Sequence, residues 1–310
     1  MTQAARLVAV VGATASGKSA LAHEVARSLT NVEIGTVDSM TVYRGMDLGT
    51  AKPTRAERDE VTYHLLDLAD PSEDFTVAAF QRAARDVEEA RRHEGGGLIY
   101  VGGTGLYGRA VLDGLTIPGQ YPEVRAELEQ RAEVDLPALY RDLQERDPLA
   151  ASRMEPTNAR RVVRALEVTL GSGRPFSSFG DGLEVYAHER VPQIGLRVPL
   201  EVLDQRIDER FARWMDEGLL GEVSSLAARP EGLSRTARQA VGYKELLAHV
   251  AGEISLADAV TRAVTATKRL ARRQRSWFTR DPRVRWFEDA AEAAAAVRDV
   301  LTGSDANVGN

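Results

Sequence analysis

The sequence predicts an α/β protein with a parallel-sheet core, a helical insertion and a helical C-terminal part. Over about the first 100 residues, short continuous apolar runs alternate with stretches of helical period, the pattern of a parallel sheet wrapped by helices. A charged segment without any strand-like run interrupts that alternation between residues 119 and 190, and a further apolar run, Gln193-Ile194-Gly195-Leu196-Arg197-Val198, resumes it.

Taken in order, Leu7-Val8-Ala9-Val10-Val11 reads as a buried strand, with Gly12 to Gly17 as the loop after it. From Lys18 to Leu29 the period turns helical, with Leu21, Val25 and Leu29 recurring every fourth residue on one face. Val32 to Asp38 is a second strand ending on a carboxylate, Thr76 to Arg92 a helix, and Leu98-Ile99-Tyr100-Val101 a third strand stopped by Gly102-Gly103. Short charged helices follow from Pro122 to Leu170, closed by the breakers Gly171-Ser172-Gly173-Arg174-Pro175. Leu200 to Trp277 reads as helical. The expected organisation is a first core part at 1–118, a helical insertion at 119–190, core completion with a helical part at 191–302, and a disordered tail at 303–310.

Composition bounds the chemistry. The 310 residues carry 40 Lys and Arg against 46 Asp and Glu, a net charge of −6 that taken alone argues against a nucleic-acid partner. No cysteine is present, which excludes disulfides, Cys-ligated zinc, iron–sulfur clusters and thiol catalysis. No apolar run approaches the roughly 18 residues of a membrane span, and Met1 to Arg6 does not read as a signal peptide. A cytoplasmic monomer with no membrane contact and no obligate protein partner is therefore expected.

Gly12-Ala13-Thr14-Ala15-Ser16-Gly17-Lys18-Ser19 matches G-x-x-x-x-G-K-[ST] between a strand and a helix, so the core is expected to be P-loop NTPase-like. Such a loop curls its N–H groups onto phosphate oxygens at a helix N-terminus. Lys18 would neutralise the distal phosphates and the Ser19 hydroxyl would ligate Mg²⁺. The loop alone says only diphosphate or triphosphate. No acid ends the Leu98–Val101 strand, where a nucleotide hydrolase commonly has one; the strand that does end in one stops at Asp38. Ligands of open α/β sheets lie beyond the carboxyl ends of the strands, which gathers the loop, Asp38 and Thr104 around one crevice.

At this point the chain resembles the tRNA dimethylallyltransferases (tRNA isopentenyltransferases, the IPP transferase family), nearly end to end. The resemblance is carried by the phosphate loop, by Asp38-Ser39-Met40-Thr41-Val42-Tyr43-Arg44-Gly45-Met46-Asp47-Leu48-Gly49-Thr50-Ala51-Lys52-Pro53, by His64-Leu65-Leu66-Asp67 and Asp70-Pro71, and by Gly102-Gly103-Thr104-Gly105-Leu106-Tyr107. Arg164-Ala165-Leu166-Glu167-Val168, Val241-Gly242-Tyr243-Lys244-Glu245 and Ala271-Arg272-Arg273-Gln274-Arg275-Ser276-Trp277-Phe278 follow in order. Ala13 stands where proline is frequent, Ser19 where threonine is, and Gly105 where a larger residue is common. The zinc-finger extension of eukaryotic relatives is absent.

The resemblance implies transfer of a dimethylallyl group from dimethylallyl diphosphate to N6 of the adenosine 3′ of the anticodon. The partners are then the anticodon stem-loop of tRNA and the diphosphate, with the phosphate loop holding the leaving group. It implies a general-base role for Asp38, a supporting contact from Thr104, and RNA contacts at Asp38, Ser39, Met40 and Thr41 and at Gln239, Ala240, Val241, Gly242, Tyr243 and Lys244. It also implies that the insertion grips the stem-loop. Either Arg206 or Arg210, four apart on one helix face, would clamp the diphosphate as a planar fork, with Arg206 favoured. A small-molecule or nucleoside kinase is the alternative that shares the loop.

The net charge conceals local basic clusters. Arg262 to Arg285 holds nine Lys or Arg against one acid, Asp281. Helical spacing puts Lys268, Arg272 and Arg275 on one face beside Arg273, with Val264, Ala271 and Phe278, and Leu270 and Trp277, as the apolar stripe. Arg160, Arg161 and Arg164, flanking Val162 and Val163, form a smaller cluster in the insertion. Both clusters are candidate RNA contacts.

Overall fold

The computed structural model describes residues 6–180, 182, 183, 185, 186 and 190–304. The chain divides into two units, Met1–Asp113 with His188–Asn310, and Gly114–Ala187.

The first unit is built on β1 (Arg6–Val11), β2 (Val32–Val37), β3 (Tyr63–His64), β4 (Gly97–Gly102), β5 (Gln193–Leu196) and β6 (Val284–Phe287), all parallel in the order β3-β2-β4-β1-β5-β6. Its helices are α1 (Lys18–Ser28), α2 (Arg55–Glu60), α3 (Val77–His93), α4 (Gly105–Leu112), α8 (Leu200–Asp216), α9 (Leu219–Ala227), α10 (Tyr243–Val250), α11 (Leu256–Thr279) and α12 (Ala290–Thr302). The second unit holds α5 (Pro122–Arg146), α6 (Pro148–Ser152) and α7 (Ala159–Ser172).

The central strands are continuous apolar runs because both of their faces are covered. Val8, Val10, Ile34, Ile99 and Ile194 pack on one side with Leu21 and Val25 of α1 and Val297 of α12. Ala9, Val11, Leu98 and Tyr100 pack on the other with Phe80 of α3 and Phe278 of α11. The pairing register aligns Val11 with Gly102 and Gly102 with Val37. The segments beginning at Gly12, Asp38 and Gly103 therefore leave the sheet at one level, and this positions the site.

The second unit packs around Leu128, Leu139, Leu143, Val162, Val163 and Leu166. Its α5 breaks helical geometry at Asp135, whose carboxylate caps Ala138 N at 2.9 Å.

Two edge strands were not expected. β3 is two residues long, too short for a periodicity, and β6 lies inside the charged stretch that reads as basic surface. α12 follows β6, capped by Asp289 at one end and by Gly303 in the left-handed conformation at the other. Of the tail expected to be disordered, residues 305–310 lie outside the described residues. Among the described residues no helix is long and apolar enough to cross a membrane.

Candidate active site

The phosphate loop leaves β1 and enters α1 through Gly17, whose φ of +95° closes the turn at the helix start. Ala15 also adopts a positive φ, +63°, so the backbone curls and gathers its N–H groups at the helix N-terminus. The loop rests on a small apolar seat, where Ala13 is buried with Leu203 and Ile207 of α8 and Ala271 of α11. Lys18 Nζ donates to Ala13 O at 3.1 Å. Removal from water, reinforced by the positive charge of Arg210 and opposed by Asp38, lowers the Lys18 ammonium to about 8.

Both candidate arginines of α8 reach this loop. Arg206 Nη1 donates to Ala15 O at 3.3 Å and Ser16 O at 3.5 Å from an exposed position. Arg210 Nη2 donates to Thr14 Oγ1 at 2.9 Å, and its guanidinium sits 4.7 Å over the Trp214 ring. Burial, with Arg213 nearby, lowers Arg210 to about 10. Arg210 Nε and Ser16 Oγ are buried with no hydrogen-bond partner among the described residues. Lys18, Arg210, the loop amides and these spare polar groups together make a site for a polyanion.

Asp38 follows β2 and Thr104 follows β4. Asp38 Oδ1 accepts from Met40 N at 2.8 Å, while Oδ2 accepts from Thr104 Oγ1 at 3.1 Å. Thr104 stands at the N-cap of α4, yet its side chain caps nothing there, because its hydroxyl is turned to Asp38 and accepts from Ser39 N at 3.4 Å. A small apolar cavity beside Thr104 is lined by Val11, Val37, Tyr100, Leu112 and Phe278.

Gln274 belongs to this site and has no counterpart among the residues expected from sequence. It lies on the buried face of α11 with Ala263, Thr267, Ala271 and Phe278. Its Oε1 accepts from Thr14 N at 2.7 Å. Its amide nitrogen closes on the next turn, since a Cβ at Gly103 would lie 2.5 Å from Nε2. One side chain thus ties α11 to both the phosphate loop and the Thr104 turn. Its sequence signals were a polar residue in register with an apolar face and its place in the Ala271–Phe278 segment, neither of which gave it a role. Trp277 is similar: a Cβ at Gly105 would lie 2.3 Å from its ring, so the missing side chain at 105 is where the indole packs.

For a metal, the Ser19 hydroxyl lies exposed in the first turn of α1. Among the described residues no cluster of three or more His, Cys, Asp or Glu could hold one. This donor set does not build a protein cage, but it fits Mg²⁺, which binds through few protein oxygens and completes its shell with phosphate oxygens and water.

The candidate RNA residues divide by exposure. Arg160, Arg161, Gln239, Lys244 and Arg273 are exposed, and Ser39, Met40, Val241 and Arg275 are partly so. Thr41, Val162, Val163, Ala240 and Tyr243 are buried, and Gly242 has no side chain to offer. Those five side chains cannot form an RNA surface; Val162 and Val163 point into the second unit's core, and Tyr243 donates to Glu222 Oε1 at 2.5 Å. Arg164 is held within its unit by Glu167 Oε1 at 2.8 Å and Pro118 O at 2.9 Å. Lys268 pairs with Asp208 at 2.7 Å and Arg272 with Asp204 at 2.6 Å, so acids from α8 meet charges that the sequence of α11 leaves unpaired.

A phosphate loop on a parallel sheet, flanked by a carboxylate–hydroxyl pair instead of a second metal-binding acid, defines a P-loop-type α/β protein arranged for chemistry on a phosphorylated substrate. A family model described as IPP transferase matches residues 41–281. A tRNA dimethylallyltransferase of Streptomyces coelicolor is 47% identical over 288 residues, covering 92% of this chain and 90% of the relative. The chain belongs to the IPP transferase family. The crystal structure of the full-length tRNA isopentenylpyrophosphate transferase of Bacillus halodurans superposes with a TM-score of 0.69 at 35% identity, covering 96% of this chain and 97% of that one. A eukaryotic dimethylallyltransferase acting on tRNA shares the fold, with a TM-score of 0.79 at 24% identity over 96% of this chain and 80% of its own.

Proposed function

We propose that this protein transfers a dimethylallyl group from dimethylallyl diphosphate to N6 of the adenosine 3′ of the anticodon in tRNA. The observation that carries the reading is the Asp38–Thr104 pair beside the phosphate loop at the ends of adjacent strands. The loop amides, Lys18 and Arg210 bind the diphosphate and take up charge as the allylic C–O bond breaks, where preorganised electrostatics contribute most. The C–N bond forms to N6, and Asp38 accepts the N6 proton. The Met40 N–H and the Thr104 hydroxyl orient its two oxygens, and diphosphate leaves. The target base is drawn out of its stack to reach the pair. Mg²⁺ would be held by Ser19 and would neutralise the leaving diphosphate. The apolar walls beside Thr104 keep water from an allylic cation-like species.

The test is incubation of the protein with unmodified tRNA, labelled dimethylallyl diphosphate and Mg²⁺. Label is expected in tRNA. Consumption of ATP without labelled tRNA would overturn the reading in favour of a kinase.

A further inference from the structure

We infer that the outer ridge of α11, formed by Arg262, Arg269 and Arg273 and continued by Arg280 at the C-cap, is the face laid against the RNA phosphate backbone, and that the Lys268–Arg272 face is not. The inference rests on the reading of the chain as a tRNA-modifying enzyme and goes further, since it assigns the polyanion to one of two basic faces of a single helix.

At about 100° per residue the four arginines fall within roughly 40° of one another, in a row about 27 Å long. All four are exposed. Among the described residues none of them has a carboxylate partner, and from Ala259 to Arg280 the sequence contains no Asp or Glu. Like charges four apart, as at Arg269 and Arg273, weaken a helix. Among the described residues no carboxylate on that face offsets the repulsion; the helix is held by its inner face, through Ala259, Ala263, Ala271 and Phe278. A row of unpaired guanidinium forks suits a strand of phosphates, each able to accept two parallel hydrogen bonds.

The other basic face is already occupied. Arg272 is bidentate to Asp204, with Nη1–Oδ1 at 3.0 Å and Nη2–Oδ2 at 2.6 Å, and Lys268 donates to Asp208 Oδ2 at 2.8 Å. A phosphate would have to break those pairs to bind there, and they hold this face against the Asp204–Asp208 flank of α8. The ridge lies on the opposite flank, next to Trp277, which packs on Gly105 immediately after Thr104. RNA following the ridge thus lies next to the turn that carries Thr104.

The experiment compares Arg269→Gln/Arg273→Gln with Lys268→Gln/Arg272→Gln in the full chain. It measures equilibrium binding of unmodified tRNA transcript between about 50 and 200 mM salt, the range over which phosphate contacts are lost. The ridge variant is expected to bind about tenfold more weakly or worse, with a log–log salt slope shallower by roughly 1.5. The comparison variant should stay within about threefold of the parent, with an unchanged slope. Arg262→Gln/Arg280→Gln provides a second ridge variant should the first fold poorly. Equal losses on both faces, or a ridge variant with the parental slope, would overturn the assignment. If the unaltered protein shows no salt-dependent tRNA binding, the functional reading itself falls, and that result is distinct from one in which both faces bind alike.

Discussion

At the residue scale, Asp38 divides its two oxygens between two donors, and in the proposed reaction it also takes the N6 proton. Oδ1 closes the turn over Met40 N, and Oδ2 is held by Thr104 beside the phosphate loop. Asp38→Asn keeps the shape and removes the base. Turnover is expected to fall about 10²–10⁴-fold, the usual span for a lost general base, while tRNA affinity is retained; single-turnover transfer and filter binding measure the two. Gln274 acts differently, because it touches the loop backbone. Gln274→Met preserves bulk but leaves the Thr14 N–H without its acceptor, a loss of about 1 kcal/mol for a partly buried donor. The expected result is a KM for dimethylallyl diphosphate raised about tenfold, with tRNA affinity unchanged; a uniform loss of activity with a lower melting temperature would mean the amide merely holds the fold. Lys18, Ser19 and Asp38 were legible in the sequence because a motif or a strand end marks each of them. Gln274 was not: its partner is 260 residues away, and it sits in a run otherwise notable for charge.

At the scale of elements, the proposed diphosphate site at the junction of loop, α1 and α8 should bind its anion in a pH-dependent way. Lys18 titrates near 8 in the fold against 10.5 in a free chain. Between those values the unfolded chain holds more protons than the folded one, so this group makes stability rise with pH across that window. For binding the sign reverses. Below about pH 8 the ammonium is already present; above it the diphosphate must draw a proton in with it. Dimethylallyl diphosphate affinity is expected to fall above pH 8 by up to about tenfold per unit, with proton uptake visible as a buffer-dependent binding enthalpy. Lys18→Met should remove that pH dependence along with most of the affinity. The α4–α11 contact gives a packing prediction. Gly105→Leu drives a side chain into the Trp277 ring, and overpacking of this kind costs about 1–3 kcal/mol, which thermal unfolding would detect. That Gly105 departs from its family was visible in sequence. What fills the space was not, because Trp277 reaches it only once α11 lies across the sheet.

For the whole molecule, the alternation of strand and helix was legible because parallel strands buried on both faces read as unbroken apolar runs. β3 and β6 were missed because edge strands need no such run. The net charge of −6 misdirects for a related reason: it sums the surface, whereas the acids of α8 neutralise one face of α11 and leave the other bare. The chain leaves the sheet-bearing unit after Asp113 and returns at His188, within a few residues of the insertion expected at 119–190, but what anchors those passages was invisible in sequence. Both are fastened by one guanidinium, that of Arg190. Glu88, buried on α3, accepts from the Tyr100 hydroxyl at 2.8 Å and from Arg190 at 2.9 and 3.0 Å. Arg190, just after the return passage, also donates to Val111 O at 2.7 Å and Leu112 O at 3.2 Å, just before the outgoing one. One guanidinium therefore staples the two passages to each other and to the core. Arg190→Met would leave Glu88 buried without its cation and two carbonyls without their donor. Breaking a fully buried pair costs about 3–5 kcal/mol; because Arg190 is partly exposed, the expected loss in chemical denaturation is nearer 2 kcal/mol. The pairing also predicts a rescue. Glu88→Gln in the Arg190→Met background removes the stranded charge and should recover part of that loss, whereas two independent surface effects would simply add.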